Sequence, residues 1–346
     1  MKTRGPFLIA EISANHCGNF KIAKNLITCA KKNGADAVKL QTYSADTMTI
    51  KSNKKYFKIK SGLWKDYNLW ELYNEAKTPL EWHTKLFKYG KKIGIKVFST
   101  PYDETAVDFL EKLNCPIYKV ASFEMTDIPL IKKIALTKKP MIISTGMASM
   151  KEITRTVKTA RKFGAKNITL LYCVSNYPSK PSDFNLNNIQ LLKKKFNCKV
   201  GFSDHSKDSR IAMSSVIAGA EVVEKHIALD NQKKGLDIEF SIKGKEIRKF
   251  KEDIDFAFKL LGTKKFYRSK SEDKSKNFRR SIFAIKDIKK GENFCSKNIR
   301  RVRPGIGIPP VYYEKILGRK CPFNIKKENP ITYRVIKSLK IKVIDK

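Results

Sequence analysis

The hydrophobic and polar positions of the chain switch between two periods. Short β-branched runs that end in polar residues give way to amphipathic segments, and each segment leads back to another such run. Eight runs are found, at 7–14, 37–43, 96–102, 117–122, 140–146, 168–174, 199–205 and 222–227. Between the first two, Ala23, Leu26, Ile27 and Ala30 recur at helical spacing, and Gly34 closes the period as a C-terminal cap. Further helical stretches follow Pro79, Glu104, Lys151, Leu186 and Asp208. Strict alternation of strands and helices predicts parallel strands, and eight units predict a (β/α)8 TIM barrel over residues 1–263.

Past Gly262 the periodicity stops. Residues 264–276 are polar and dense in charge, a linker composition that we extend over 264–278. From residue 279 the pattern becomes short strand-like pieces, 281–284 and 331–336, with turns at Lys290-Gly291 and from Arg303 to Gly307. A small β-rich domain is expected over 279–346, near the size at which an isolated core becomes marginal. A length of 346 residues suits one large barrel with an appendage.

Barrels of this class keep their chemistry at the carboxyl ends of the strands. The polar residues there are Glu11, Lys39, Thr100, Lys119, Ser122, Ser144, Ser203, His205, Glu224 and His226, with Tyr177 just beyond its strand. The longest interruption, 44–78, carries Trp64, Tyr67, Trp70 and Tyr73, and is either a substrate lid or a docked insertion. Of the four histidines, His205 and His226 end adjacent strands, where their imidazoles can converge on one divalent metal. A purely structural role for each is the alternative. Asp204 and Glu224 flank them, to orient the rings or to form ordinary ion pairs.

Lys39 and Lys119 lie inside apolar strands, where surface alternation does not explain a lysine. A buried ammonium needs an anion, so the pair points to a phosphate or carboxylate ligand, supported by the hydroxyls of Thr100, Ser122, Ser144 and Ser203. A Schiff-base lysine and a structural pairing with Glu11 or Glu124 remain open.

Charge sharpens this picture only slightly. Lys+Arg 72 against Asp+Glu 33 gives +39, but the cations are 59 Lys to 13 Arg and are spread along the chain. Readers of bases and phosphates cluster their charge and favour arginine's planar fork, so a solvated lysine surface, with no nucleic-acid partner, is expected. Seven cysteines without a CxxC pair indicate neither a disulfide framework nor a thiolate zinc site. The first apolar run is too short for a signal peptide and no run is long enough to span a membrane, so a cytoplasmic protein is expected.

The strings Ala10-Glu-Ile-Ser-Ala-Asn-His16, Lys39-Leu-Gln-Thr-Tyr43, Phe98-Ser-Thr-Pro101, Tyr118-Lys-Val-Ala-Ser122, Ser144-Thr-Gly146, Ser203-Asp-His205 and Glu224-Lys-His226, taken in order, resemble the sialic acid synthase family. Arg279-Arg-Ser-Ile-Phe283 through Arg303-Pro-Gly-Ile-Gly307 looks like that family's antifreeze-like (SAF) domain. Within the family, the stretch from Leu72 to His83, Ala121-Ser-Phe-Glu124, and Pro304 to Tyr313 with Ile316-Leu-Gly318 look most like the pseudaminic acid synthase branch.

The resemblance implies condensation of phosphoenolpyruvate with an acylamino hexose. For the pseudaminic branch the acceptor is 2,4-diacetamido-2,4,6-trideoxy-altropyranose, while N-acetylneuraminate and legionaminate synthases use other acylamino sugars. It further implies that His205 and His226 bind Mn2+ or Mg2+, and that Lys39, Thr100, Lys119, Ser122, Ser144 and Ser203 hold phosphoenolpyruvate. Tyr177 and Asp237 would face the sugar. Arg303 would be inserted by the SAF domain of a second subunit, which makes a homodimer the expected unit. Glu11 is the candidate to handle the proton and to stabilise positive charge. Two departures from the family pattern touch the acceptor contacts: Cys173-Val-Ser-Asn before Tyr177, and Lys243 where an acid is frequent.

Overall fold

Eight parallel strands close on themselves in the computed structural model, which describes residues 5–176, 179–263 and 265–344. They are β1 (Phe7–Glu11), β2 (Ala37–Thr42), β3 (Lys96–Pro101), β4 (Tyr118–Val120), β5 (Met141–Ser144), β6 (Ile168–Cys173), β7 (Lys199–Asp204) and β8 (Val222–Ala228). Each pairs with the next, and β1 pairs with β8 in a register running from Phe7 opposite Val222 to Glu11 opposite His226. That last pair closes the barrel and sets a catalytic-type carboxylate beside an imidazole. The chain is a (β/α)8 barrel followed by a small β-rich unit, as its periodicity predicts.

The strand ends move inward from the expected bounds wherever the backbone turns early. β1 stops at Glu11 because Ser13, at φ 42°, bends the chain into a 3-10 turn over Ser13–His16. The first barrel helix, Phe20–Lys32, buries Ala23, Leu26, Ile27 and Ala30, and Gly34 follows at φ +89°, the left-handed conformation its capping role requires. Helices Leu80–Ile93, Glu104–Lys112, Met150–Lys162, Asn187–Phe196 and Ser209–Ile217 follow the expected stretches. Two more, Ile128–Leu136 and Lys245–Leu260, complete the ring. The first escapes a periodicity search because its exposed Leu136 and flanking Ile128 blur the apolar stripe.

The interruption after β2 packs over the barrel mouth, the position that either a lid or a docked insertion would take. It contains the short helix Leu69–Ala76. Trp64 Nε1 donates to the Leu236 carbonyl at 3.0 Å, Trp70 Nε1 donates to Asp46 at 2.8 Å, and Thr78 Oγ1 lies 3.3 Å from His16 Nε2. On the far side of the mouth a two-residue strand, β9 (Ile242–Lys243), pairs with the end of β8 and brings Asp237 and Phe240 back over the site. Among the described residues no helix is long and apolar enough to cross a membrane, and all seven cysteines are free thiols.

The chain divides after Gly262 into a second compact unit. Within it, β10 (Ser281–Ala284) and β11 (Ile299–Val302) pair antiparallel over a core that includes Ile282, Phe294, Ile299, Ile308 and Tyr312. Residues 270–278, expected as linker, form exposed 3-10 turns. The strand expected at 331–336 is a correction. Only Ile331 pairs, its amide donating to Ile282 and its carbonyl accepting from Ile308, and Tyr333–Ser338 is a helix. Val335, Ile336 and Leu339 fall on one face of it, so adjacent β-branched residues here served a helical turn.

Candidate active site

Parallel strands alternate their side chains between barrel interior and helix layer. That parity brings Glu11, Lys39, Gln41, Lys119, Ser144, Cys173, Ser203, His205, Glu224 and His226 to the wall of one cavity of about 360 Å³ at the carboxyl ends. Loop residues Ser122, Glu124 and Ser175 complete the wall, and Ile59, Trp64, Leu72 and Tyr73 of the insertion cover it.

The floor is a network of buried charge. Lys39 Nζ pairs directly with Glu11 Oε2 and lies 3.5 Å from Glu224 Oε1, while Lys119 Nζ is 3.7 Å from the same Glu224 oxygen. Lys119 also donates to Ser144 Oγ at 2.7 Å and to the Val120 carbonyl at 3.1 Å. All four charged side chains are buried. Burial alone lowers the Lys39 ammonium, but Glu11 and Glu224 outweigh it and hold Lys39 above the ordinary lysine value. Burial raises Glu224 too, yet Lys119 and Lys39 on either side bring its carboxyl below the usual range. Lys39 thus has the Glu11 partner that a structural pairing would give it. Lys119 meets Glu224 rather than Glu124.

The hydroxyls gather round these ammoniums. Thr100 Oγ1 sits 3.4 Å from Lys39 Nζ, fully buried behind the cavity wall. Ser203 Oγ donates to Glu224 Oε1 at 3.2 Å, and the Gly146 amide donates to Ser122 Oγ at 3.1 Å. The two ammoniums and the hydroxyls of Ser122, Ser144 and Ser203, which line one space, can hold a multiply charged anion.

Beside that anion floor, His205 and His226 stand with ring centroids 5.5 Å apart and planes inclined at 55°, both edge-on to Phe240. His226 is half-buried, its Nδ1 is shut off from solvent without a hydrogen-bond partner, and desolvation with His205 nearby holds it well below the ordinary histidine value. A neutral ring with an orphaned buried nitrogen is what a cation ligand must be. His205 Nδ1 lies 3.2 Å from the Val174 carbonyl, which fixes that ring's orientation. Burial lowers His205 as well, but Cys173, its Sγ 3.8 Å from Nδ1, outweighs that and holds this ring above the ordinary histidine value, so His226 suits a cation ligand as it stands and His205 once it is deprotonated. No group of three or more His, Cys, Asp or Glu forms a closed cage among the described residues.

Asp204 and Glu224 do not hydrogen-bond these rings, which corrects one expectation. Asp204 points away to Lys225 at 3.2 Å, and Glu224 is engaged by Lys39, Lys119 and Ser203. The carboxylate near an imidazole is Asp237, whose Oδ2 lies 3.7 Å from His226 Nδ1 and accepts from Ser13 Oγ. Gln41 Nε2 in turn donates to Ser13 Oγ at 3.0 Å. Asn15 and His16 are buried in the same corner: Asn15 Nδ2 donates to the Ile227 carbonyl at 2.9 Å, and burial lowers His16 to about 4. Tyr177 lies outside the described residues. Arg303 belongs to the second unit, where it is exposed and lines a groove with Arg280, Arg300, Arg301 and Tyr313.

Strand-end reading missed Ser13, Gln41, Glu124, Cys173 and Ser175 of the cavity wall. Gln41 shares the parity of Lys39 and was readable from it. Ser13 was not, because its partner Asp237 is 224 residues away in sequence.

The sequence pattern of the NeuB family matches residues 26–266, and that of the SAF domain matches residues 279–334. The chain belongs to the NeuB family. A pseudaminic acid synthase of Campylobacter jejuni subsp. jejuni serotype O:2 is 41% identical over 320 residues, covering 92% of this chain and 93% of the relative. An N,N'-diacetyllegionaminic acid synthase of the same strain is 38% identical, covering 94% and 98%. Among solved structures, N-acetylneuraminic acid synthetase from Leptospira borgpetersenii serovar Hardjo-bovis, in complex with citrate, superposes with a TM-score of 0.71 at 32% identity over 79% of this chain and 90% of that one. As a NeuB-family member the chain is an enzyme, a synthase, and Lys39, Lys119, Glu224 and the histidine pair sit inside the matched region.

Proposed function

We propose that this enzyme is a pseudaminic acid synthase, which condenses phosphoenolpyruvate with 2,4-diacetamido-2,4,6-trideoxy-altropyranose to give pseudaminic acid and phosphate. The observation that carries the chemistry is the single cavity that sets the Lys39–Lys119 floor beside the His205–His226 pair. The 41% identity to a pseudaminic acid synthase supports this acceptor.

His205 and His226 hold Mn2+ or Mg2+, a cation that when bound supplies Lewis-acid polarisation of the open-chain sugar aldehyde. Lys39, Lys119, Ser122, Ser144 and Ser203 bind the phosphate and carboxylate of phosphoenolpyruvate, with Thr100 steadying Lys39 from behind. The methylene carbon of phosphoenolpyruvate bonds to the aldehyde carbon, whose oxygen takes a proton. Positive charge builds on the former enol carbon, water adds there, and phosphate leaves as its carbon–oxygen bond breaks.

Glu11 faces that carbon's environment with a carboxyl that burial raises above its ordinary value. An incoming phosphate competes for Lys39, which frees Glu11 to stabilise the cation and accept the proton of the attacking water. Asp237, held by Ser13, and Tyr177 orient the sugar. Arg303 acts from the partner subunit of a homodimer.

The 38% identity to a legionaminic acid synthase favours a second reading, the same chemistry on the legionaminic precursor. Phosphate release measured with Mn2+ on three acceptors separates the two. Turnover at least tenfold faster on the altrose sugar than on the legionaminic precursor or N-acetylmannosamine is expected, and preference for either of those overturns the pseudaminic assignment.

A further inference from the structure

β7 and β8 carry a second polar cluster on the face turned away from the cavity. Asp204 and Lys225 stand opposite each other in the strand register, with Asp204 Oδ2 3.2 Å from Lys225 Nζ. Lys225 Nζ also donates to the Ser206 carbonyl, and Asp204 Oδ1 accepts from the Ser206 amide at 2.9 Å and its hydroxyl at 2.6 Å. Asp204, Ser206 and Lys225 are at most 1% exposed. Lys225 lies 6.0 Å from the Phe250 ring of the last barrel helix, so the cluster is sealed between sheet and helix layer.

An ion pair placed there loses to desolvation much of what its attraction supplies, and a packed apolar pair would serve stability as well. What an apolar pair would not supply is direction. The bonds end on the residues that bracket His205, namely Asp204 and Ser206, and on the residue that precedes His226. His226 Nδ1 makes no hydrogen bond of its own, so apart from the edge contact with Phe240 the ring takes its position from the backbone that carries it.

We propose that Asp204 and Lys225 are positioning residues of the cation site. Their ion pair, closed through Ser206, sets the separation of the His205 and His226 imidazoles and hence the affinity for a divalent cation. The inference rests on reading those histidines as cation ligands.

The test titrates the metal-free full-length enzyme with Mn2+ alone, reading free Mn2+ by electron paramagnetic resonance, and records Tm in chelator. Lys225→Met and Asp204→Asn are expected to raise the Mn2+ Kd ten- to a hundredfold, Ser206→Ala a few-fold, and Lys225→Arg less than about threefold. The double variant Asp204→Leu with Lys225→Met is decisive, because it leaves no buried charge unpaired. It should recover the Tm lost by Lys225→Met while its Mn2+ Kd stays high. Wild-type Mn2+ affinity in that double variant overturns the proposal and reduces the pair to a structural one. His226→Ala is the control for the underlying reading: if wild type takes up Mn2+ no more tightly than His226→Ala, the cation assignment falls and this inference falls with it.

Discussion

Four carboxylates reach the cavity or its edge, and their neighbours give them different protonation behaviour. Glu224 lies between two ammoniums and stays ionised despite burial. Glu124 has no ammonium within ion-pair reach, its Oε2 makes no hydrogen bond, and burial raises its carboxyl to about 7. A folded-state value above the unfolded 4.5 means that the native state holds a proton the unfolded chain has already released, so stability falls as pH rises from 4.5 through about 7. Glu124→Gln removes that loss. It should be neutral near about pH 5 and stabilising by roughly 1–2 kcal/mol above about pH 7.5, a figure reduced for the partial exposure of the side chain. Urea denaturation of both proteins across this range checks it, and a gain that does not grow with pH would place the carboxyl in an ordinary solvated setting.

At the scale of elements, the loop after β5 shows how closely the anion pocket is built. Gly146 lies two residues past the end of β5, and a Cβ there would fall 2.1 Å from Ser175 Oγ and 2.8 Å from Ser122 Oγ. Gly146→Ala must therefore displace both hydroxyls while leaving the barrel core untouched. One hydrogen bond to a bound anion is worth up to about tenfold in affinity, so KM for phosphoenolpyruvate should rise about tenfold with KM for the sugar unchanged. Steady-state kinetics with each substrate varied in turn checks this; an unchanged phosphoenolpyruvate KM would mean that the Ser122 hydroxyl does not hold it. Gly146 also marks what was legible beforehand. Barrel strands are buried on both faces, so Lys39, Lys119 and Ser144 stood out against apolar neighbours and needed no tertiary information. Asp204 stood out equally, but strand parity turns it away from the rings and toward Lys225, and only paired strands reveal that. Ser13 with Asp237 depends on the return of the chain through β9. The helix Tyr333–Ser338 was misread because β-branched residues in a six-residue element fit either period.

For the whole molecule, the distribution of cations says more than their sum. Lysines cover the chain, but eight of the 13 arginines lie in the second unit, residues 263–346. Arg280, Arg300, Arg301 and Arg303 line one groove there with no carboxylate among its residues. Guanidinium groups gathered without a local counter-charge favour an anionic surface or ligand elsewhere, in keeping with the proposal that Arg303 serves the barrel of a second subunit. On that proposal, activity is a property of the pair of chains. A subunit with His226→Ala has a dead barrel and an intact SAF domain, while one with Arg303→Ala has the reverse. If the arginine acts across the dimer, each variant alone is nearly inactive, but a mixed dimer holds one complete site. Random pairing gives half mixed dimers with one working site of two, so an equimolar mixture of the dissociated and reassociated variants should recover about a quarter of wild-type activity. Coexpression with two affinity tags and assay of the doubly tagged fraction isolates the mixed species, whose activity should be about half that of wild type. Absence of recovery in that fraction would assign Arg303 to the barrel of its own chain, since only then does each variant lesion spoil the site it shares a subunit with and leave no complete site in the mixed dimer.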